Sequence, residues 1–282
     1  MNYLNLGCGR RFDPGWSNVD FTSTGKGVIV HNLTQGIPFP DAFFNVVYHS
    51  HVLEHFSLYQ AEVFLQECYR VLIPQGILRV VVPDLEQITR TYLKALELAR
   101  TGSQEWAANY EWILLEMYDQ VARNHSGGEM AAYLSKEDLV NAKFILGRCG
   151  YEAKNLMETA QRQREQLQPA SDKVEQYKHL LKEIYRLFRY PKHRREFLFH
   201  LVLGKEYTNL QIGRFRQSGE VHQWMYDRYS LAVLLEKSGF KNIIQCTAAE
   251  SSIPNWTSFN LDTELDGTVY KPDSLFMEAI KP

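Results

Sequence analysis

Leu4-Asn5-Leu6-Gly7-Cys8-Gly9, followed eleven residues past Gly9 by the end of Asn18-Val19-Asp20, is the stretch on which the reading of this chain turns. One apolar run stops at a Gly-x-Gly and the next stops at an acid. Glycine has no Cβ, so the backbone after a strand can turn sharply there and bring its N–H groups close to a ligand. A carboxylate closing the neighbouring strand is placed to accept hydrogen bonds from a ribose diol. Together they describe a nucleoside crevice at the carboxyl edge of a parallel sheet. A dinucleotide fingerprint would need a third glycine three positions after Gly9. Phe12 stands there, which argues against a pyrophosphate site and against a nicotinamide-dependent reductase.

Outward from this stretch, further motifs follow in order: Pro14-Gly15-Trp16-Ser17, Ile37-Pro38-Phe39-Pro40-Asp41, His51-Val52-Leu53-Glu54-His55, Arg70-Val71-Leu72-Ile73-Pro74-Gln75-Gly76 and Leu234-Leu235-Glu236-Lys237-Ser238-Gly239-Phe240. Over roughly the first third and last fifth of its length, the chain resembles class I S-adenosylmethionine-dependent methyltransferases, most nearly the small-molecule type 11 branch. The resemblance implies a Rossmann-like α/β fold, a seven-stranded mostly parallel sheet with an antiparallel last strand. It implies S-adenosyl-L-methionine as cofactor, held by Asn5, Gly7, Cys8, Gly9, Asp20, Asn32, Leu33, Ser50 and His51. Two positions depart from the family, Asn5 and Asn32 standing where acids are usual. Asparagine keeps a carbonyl acceptor but loses the charge, so weaker binding is expected.

Composition bounds the rest. At 282 residues, with 45% hydrophobic and 23% charged residues, the chain can bury a sizeable core and is not disordered by composition. A net charge of -2 gives no general attraction to nucleic acid or anionic membranes. Cys8, Cys68, Cys149 and Cys246 are scattered, with no Cys-x-x-Cys, which suits a reducing cytoplasm and predicts neither disulfides nor a metal site. No apolar stretch reaches the ~18 residues of a membrane span, and the first strand begins too early to leave room for a signal peptide.

Periodicity predicts strands at Tyr3–Leu6, Ser17–Val19, Val28–His31, Val46–His49 and Ile77–Val82. It also predicts a helix from Tyr59 to Leu72 with Val63, Leu65, Cys68, Val71 and Leu72 inward. The first crossover, Gly9 to Asn18, is too short for a full helix. Residues 85–220 read as helical. Ser103 precedes an apolar stripe of Trp106, Tyr110, Ile113, Leu114, Met117 and Val121; a loop is expected at His125–Gly128, a capping box at Ser135–Asp138, and breaks at Gly150 and Pro169. A second stripe joins Tyr177, Leu180, Leu181, Ile184 and Phe188. From Tyr229 the α/β pattern returns with a helix over Ser230–Lys237 and strands at Lys241–Cys246 and Leu275–Ile280. The expected organisation is a core of residues 1–84 and 221–282, with 85–220 inserted after the fifth strand as a helical lid forming the substrate pocket.

By the resemblance, the end of the fourth strand lies beside the methyl-bearing end of the cofactor. His51 is then the first candidate general base and His55 the second, with Glu54 orienting; equally, strand-end histidines can simply wall the pocket. Backbone N–H groups after Gly7 and Gly9 are candidate donors to the cofactor's carboxylate, and one of Arg10 and Arg11 at least is expected to face solvent. His222 and Tyr226, where the insertion rejoins the core, are candidate substrate residues, Asp227 a helix cap. Between Asp172 and Arg216 stand eleven Lys/Arg and five Asp/Glu, centred on Lys192-His193-Arg194-Arg195, read as a solvated helix face; Phe197-Leu198-Phe199 beyond it is core or a dimer contact. The expected activity is methyl transfer to a small-molecule hydroxyl, with no nucleic acid partner. The alternative is a cofactor-binding module without turnover.

Overall fold

A computed structural model describes residues 1–166, 182, 185, 186 and 188–282. Seven strands form one sheet: β1 (Tyr3–Leu6), β2 (Ser17–Asp20), β3 (Val28–Val30), β4 (Phe44–Ser50), β5 (Leu72–Pro83), β6 (Lys241–Cys246) and β7 (Ser274–Ile280), in the spatial order β3-β2-β1-β4-β5-β7-β6. The pairs from β3 to β5 are parallel, and β7 runs antiparallel to both β5 and β6. The order reverses at β1, between β2 and β4. In an open α/β sheet that is where the strand ends diverge and leave a crevice, so Gly7, Asp20 and His51 are brought to one edge.

Helix α1 (Leu58–Val71) starts at a capping box, the Gln60 N–H donating to Ser57 Oγ while the Ser57 N–H donates to Gln60 Oε1. Its inner face is Ala61, Phe64, Leu65, Cys68 and Val71, all buried on the sheet with Leu4, Leu6, Phe44, Val47, Leu78 and Val80. Each such aliphatic or aromatic side chain contributes about 1.5–3 kcal/mol on leaving water. Val63, expected inward, is 41% exposed, and Phe64 takes its place. The first crossover carries no helix at all, only turns. The sheet face it leaves bare is covered instead by the long connection between β6 and β7. Trp256, Ile253 and Leu261 from that connection pack with Trp16, Tyr48 and Phe276. Arg79, fully buried, nails the connection down by ion pairs to Asp262 and Glu278 and a further bond to the Thr247 carbonyl.

Between β5 and β6 the described residues are helical: α2 (Leu85–Ala99), α3 (Gln104–Ala122), α4 (Gly128–Leu134), α5 (Ala142–Gln166), α6 (Pro191–Leu203) and α7 (Glu206–Arg216), followed by α8 (Arg228–Lys237). Asp84 caps α2, Ser103 caps α3 and Asp227 caps α8. The exit and return of this segment are clasped together, since the Leu85 N–H donates to the Tyr226 carbonyl. The expected apolar stripe of α3 holds in part, with Trp106, Tyr110, Ile113 and Met117 packing with Ile88 and Ala95 of α2, but a polar face is buried beside it. Ile113 is buried, but so are Asn109, Trp112, Glu116 and Asp119, while Trp106, Tyr110, Leu114, Met117 and Val121 are half-buried. A buried Arg148–Glu116 pair, with further bonds from Arg148 to Gln87 and Thr91, ties α5 to α2 and α3 and accounts for the polar face. No helix starts at Ser135: this residue ends α4, and its hydroxyl donates to the Ala131 carbonyl. Pro169, Tyr177, Leu180, Leu181 and Ile184 lie outside the described residues. Lys192, Arg194 and Arg195 are exposed, as a solvated face should be, and so are Phe197 and Leu198, which are not core.

Gly150 kinks α5, with φ +58°. A Cβ at Gly150 would lie 2.5 Å from the Tyr270 carbonyl oxygen, so the kink lets the helix seat against the β6–β7 connection. Gly150→Ala is expected to destabilise the fold by about 1–3 kcal/mol, the scale for a non-glycine residue held in such a conformation. A thermal unfolding midpoint equal to that of the parent chain would refute this.

Candidate functional site

The glycine turn is pulled back onto β2. The Gly7 and Cys8 N–H groups both donate to the Val19 carbonyl, and the Gly9 N–H donates to Asp20 Oδ2 at 2.8 Å. Of the amides following the two glycines, that of Cys8 is therefore taken by β2, contrary to the sequence-based expectation, while the Arg10 N–H makes no hydrogen bond among the described residues. Asn5 lies under the turn, buried, its amide donating to the Arg11 carbonyl and to Asn18 Oδ1. Cys8 is also buried, and burial raises its thiol to about 11, so it is an inert packing group. Arg10 faces solvent, whereas Arg11 pairs with Glu264 and stacks on Tyr270 at 4.0 Å, bracing the β6–β7 connection rather than a ligand.

Beside the turn lies a groove of about 770 Å³, bordered by Gly7, Asp20, Asn32, Leu33, His51 and Val52 among others. Gly7 has φ +64°, and a Cβ there would fall 2.3 Å from Val52 Cγ2, so this wall admits only glycine. Asp20 Oδ1 accepts from both the Thr22 N–H and the Thr22 hydroxyl, while Oδ2, which accepts only from the Gly9 N–H, keeps a further lone pair for a hydroxyl. Asn32 caps a 3-10 turn, its carbonyl oxygen accepting from Thr34, so the amide NH2 remains as a donor at that end. Ser50, Cys8, Gly9 and Asn5 do not border the groove.

A second cavity of about 430 Å³ lies between the sheet edge and the inserted helices. His51, His55, His222, Lys271 and Asp273 come from the sheet side; Trp112, Arg123, Met130 and Glu152 come from α3, α4 and α5. His51 borders both cavities. It sits where β4 ends, at φ +55°, its N–H donated to the Val81 carbonyl. A non-glycine residue in that conformation is costly, and such positions gather at functional sites. His51 Nε2 is 2.9 Å from Ser274 Oγ, and its Nδ1 is 3.3 Å from Glu54 Oε1. Glu54 is 0% exposed. Burial favours its neutral form, yet the surrounding imidazoles, His51 foremost, bring it down to about 2. Burial pushes His222 down to about 3 and lowers His55 as well, which favours the neutral ring at both. Tyr226 is buried in the main core and does not border the cavity, so it is not brought to a substrate.

Residues 17–80 match the family model described as a methyltransferase domain, of the type 11 branch. Over those 64 of its 282 residues the chain is similar to a methyltransferase domain. No curated protein matches significantly. Among solved structures, the YcgJ protein of Bacillus subtilis is 20% identical over 33% of this chain and 51% of that one, with a TM-score of 0.25. A SAM-dependent methyltransferase from Archaeoglobus fulgidus is 11% identical, covering 100% of this chain and 86% of that one at a TM-score of 0.38. The match thus spans about half the length of the first of these relatives.

The cofactor of a methyltransferase domain of this branch is S-adenosyl-L-methionine, and the groove fits it. A nucleoside in the groove would meet the Asp20 carboxylate, the Asn32 amide donor, the apolar Leu33 and the close backbone at Gly7. Four residues of the second cavity are not marked by the sequence pattern: Glu152, Arg123, Lys271 and Asp273. Glu152 and Lys271 form an ion pair at 2.9 Å across more than a hundred residues of chain. No local pattern announces such a pair.

Proposed function

We propose that the protein is an S-adenosylmethionine-dependent methyltransferase acting on a small molecule, with a hydroxyl oxygen as acceptor atom. The observation that carries this is the position of His51, a single ring bordering both the cofactor groove and the cavity beneath the inserted helices. When bound, the cofactor supplies a methyl already activated on a sulfonium, so the chain must align an acceptor, exclude water and take up one proton. Residues 85–220 act as the lid that encloses the acceptor, with 1–84 and 221–282 as the core. The fold operates in the cytoplasm.

With its proton on Nδ1, facing Glu54, His51 presents Nε2 as an acceptor. Ser274 Oγ now takes that position at 2.9 Å. An acceptor hydroxyl entering from the cavity would replace it and give its proton to Nε2 as the oxygen is methylated. Glu54 holds the tautomer and orientation. His51→Ala is accordingly expected to lower turnover by roughly 10²–10⁴-fold, the usual worth of a general base, with little change in cofactor affinity. Transfer of a tritiated methyl from the cofactor into small-molecule fractions of a cell extract is the assay. Full activity in the variant would remove His51 from the chemistry. No transfer by the parent chain, with the cofactor still bound, would leave a binding module. The Asn5 departure does not favour that second reading, because Asn5 holds the turn and not the groove.

A further inference from the structure

Glu54 is an unusual group among the described residues. Its side chain is wholly buried, and neither carboxylate oxygen has an aligned hydrogen-bond donor. His51 Nδ1 is within ion-pair distance of one oxygen, but among the described residues no lysine or arginine pairs with Glu54. Taking a carboxylate out of water without partners costs several kcal/mol, so natural proteins pair such a group or give it a cation. Two further ligand types stand beside it. His55 Nδ1 is buried and equally without a partner. The His55 and His222 rings lie 4.7 Å apart, edge to face, and one donor atom from each of Glu54, His55 and His222 falls within 4.8 Å of the others.

The backbone fixes this meeting. Glu54 and His55 belong to the single 3-10 turn Leu53–His55 that follows the strained His51, so they cannot separate. His222 arrives on the segment returning from the inserted helices. That segment is clamped to the same turn, the Gln223 and Trp224 N–H groups both donating to the Glu54 carbonyl, while the His222 N–H donates to the Gln120 carbonyl of α3. Two distant parts of the chain are thus locked together around three ligand atoms.

We propose that Glu54, His55 and His222 bind one divalent transition-metal ion of the zinc type at the edge of the second cavity. Two imidazole nitrogens and one carboxylate oxygen are the donor set of catalytic zinc sites, which keep a fourth position open. Here the open position faces the cavity that both histidines border. Metal–ligand distances of about 2.0–2.2 Å need donors closer than the 4.8 Å within which these lie, so the side chains must close on the ion as it binds. His51 becomes the outer partner of Glu54, as metal-bound carboxylates commonly have. His55 then serves as a ligand and not as a second base. The metal claim is independent of the methyltransferase reading. A role in holding the acceptor's oxygen, lowering the hydroxyl's proton affinity for His51, rests on it.

The test uses full-length, tag-free protein stripped with chelator. Titration with zinc(II) by calorimetry, and with cobalt(II) followed by its visible d–d absorption, should each give one site per chain. His222→Ala and Glu54→Gln should each weaken that site by at least tenfold, the loss tracking the absorption band. Circular dichroism identifies any variant that fails to fold. If one does, the conservative His222→Asn and His55→Asn variants take its place. Cofactor binding, measured in the same samples, separates failure of this site from failure of the methyltransferase reading. Absence of a stoichiometric site for either metal would overturn the proposal. So would a site of unchanged affinity in folded variants, which would mean the ion sits on other histidines.

Discussion

Arg79→Met should cost the fold about 3–5 kcal/mol, the penalty for removing one member of a buried ionic set. Arg79 is 0% exposed in the middle of β5, and all its donors are used. Its Nε bonds Asp262 Oδ2 at 2.9 Å, and Nη1 bonds Glu278 Oε1 at 2.8 Å and the Glu250 carbonyl at 3.0 Å. Nη2 bonds the Thr247 carbonyl at 2.8 Å. Tyr48 donates to the other Asp262 oxygen, and the Trp256 ring covers the guanidinium at 4.4 Å. Methionine of similar length would keep the packing but leave two carboxylates buried with no cation. Burial already pushes Asp262 toward its neutral form, so without Arg79 it would protonate or drag the β6–β7 connection into water. Urea denaturation should show a lower midpoint with an unchanged slope. Adding Asp262→Asn and Glu278→Gln to Arg79→Met should recover part of the loss, because the uncompensated charges go with them. If the single variant is as stable as the parent, the network does not hold the connection. If the triple variant is worse still, the hydrogen bonds matter more than the charges.

That network also marks the limit of what the residue pattern could tell. The strands, the α1 helix and the caps at Ser103 and Asp227 were legible because they are local: a period, a breaker, a short polar side chain before an apolar run. So was the groove, whose Gly7, Asp20, Asn32 and Leu33 lie within thirty residues of one another and line it together. What could not be read depends on chain returning from far away. Arg79 sits in a run of valines with no hint that Asp262 awaits it, 183 residues on. Nor did the apolar spacing of α3 reveal that Glu116 and Asp119 point inward, since their partners Arg148 and Arg123 decide that. The Ser135–Asp138 pattern carried a local signal and still failed, because Ser135 was already ending the preceding helix. The glycine turn is the instructive mixture. Its glycines were recognised for the right conformational reason, with φ +64° and +53° at Gly7 and Gly9. Their neighbouring amides go to Val19 and Asp20, a use that only the clipped crossover explains.

Asp20 therefore carries two duties, and its removal is the second large effect expected. In the protein its Oδ2 accepts from the Gly9 N–H at 2.8 Å and its Oδ1 from the Thr22 N–H at 3.0 Å. The same carboxylate borders the groove, where a ribose hydroxyl would meet the lone pair left on Oδ2. Asp20→Ala should weaken S-adenosylmethionine binding by about 1.5–3 kcal/mol, the worth of hydrogen bonds to a charged group, or roughly ten- to 150-fold in Kd. Asp20→Asn separates the two duties. It keeps one carbonyl oxygen for the turn, so the fold should melt near the parent temperature while affinity for the cofactor still falls. S-adenosylhomocysteine, which keeps the ribose but lacks the methyl and its positive charge, should lose affinity in parallel. A loss confined to S-adenosylmethionine would instead point to the sulfonium charge as the lost contact. Calorimetry with both ligands decides between them. Parent-like affinity in both variants would place the ribose elsewhere, and the assignment of the groove would fall with it.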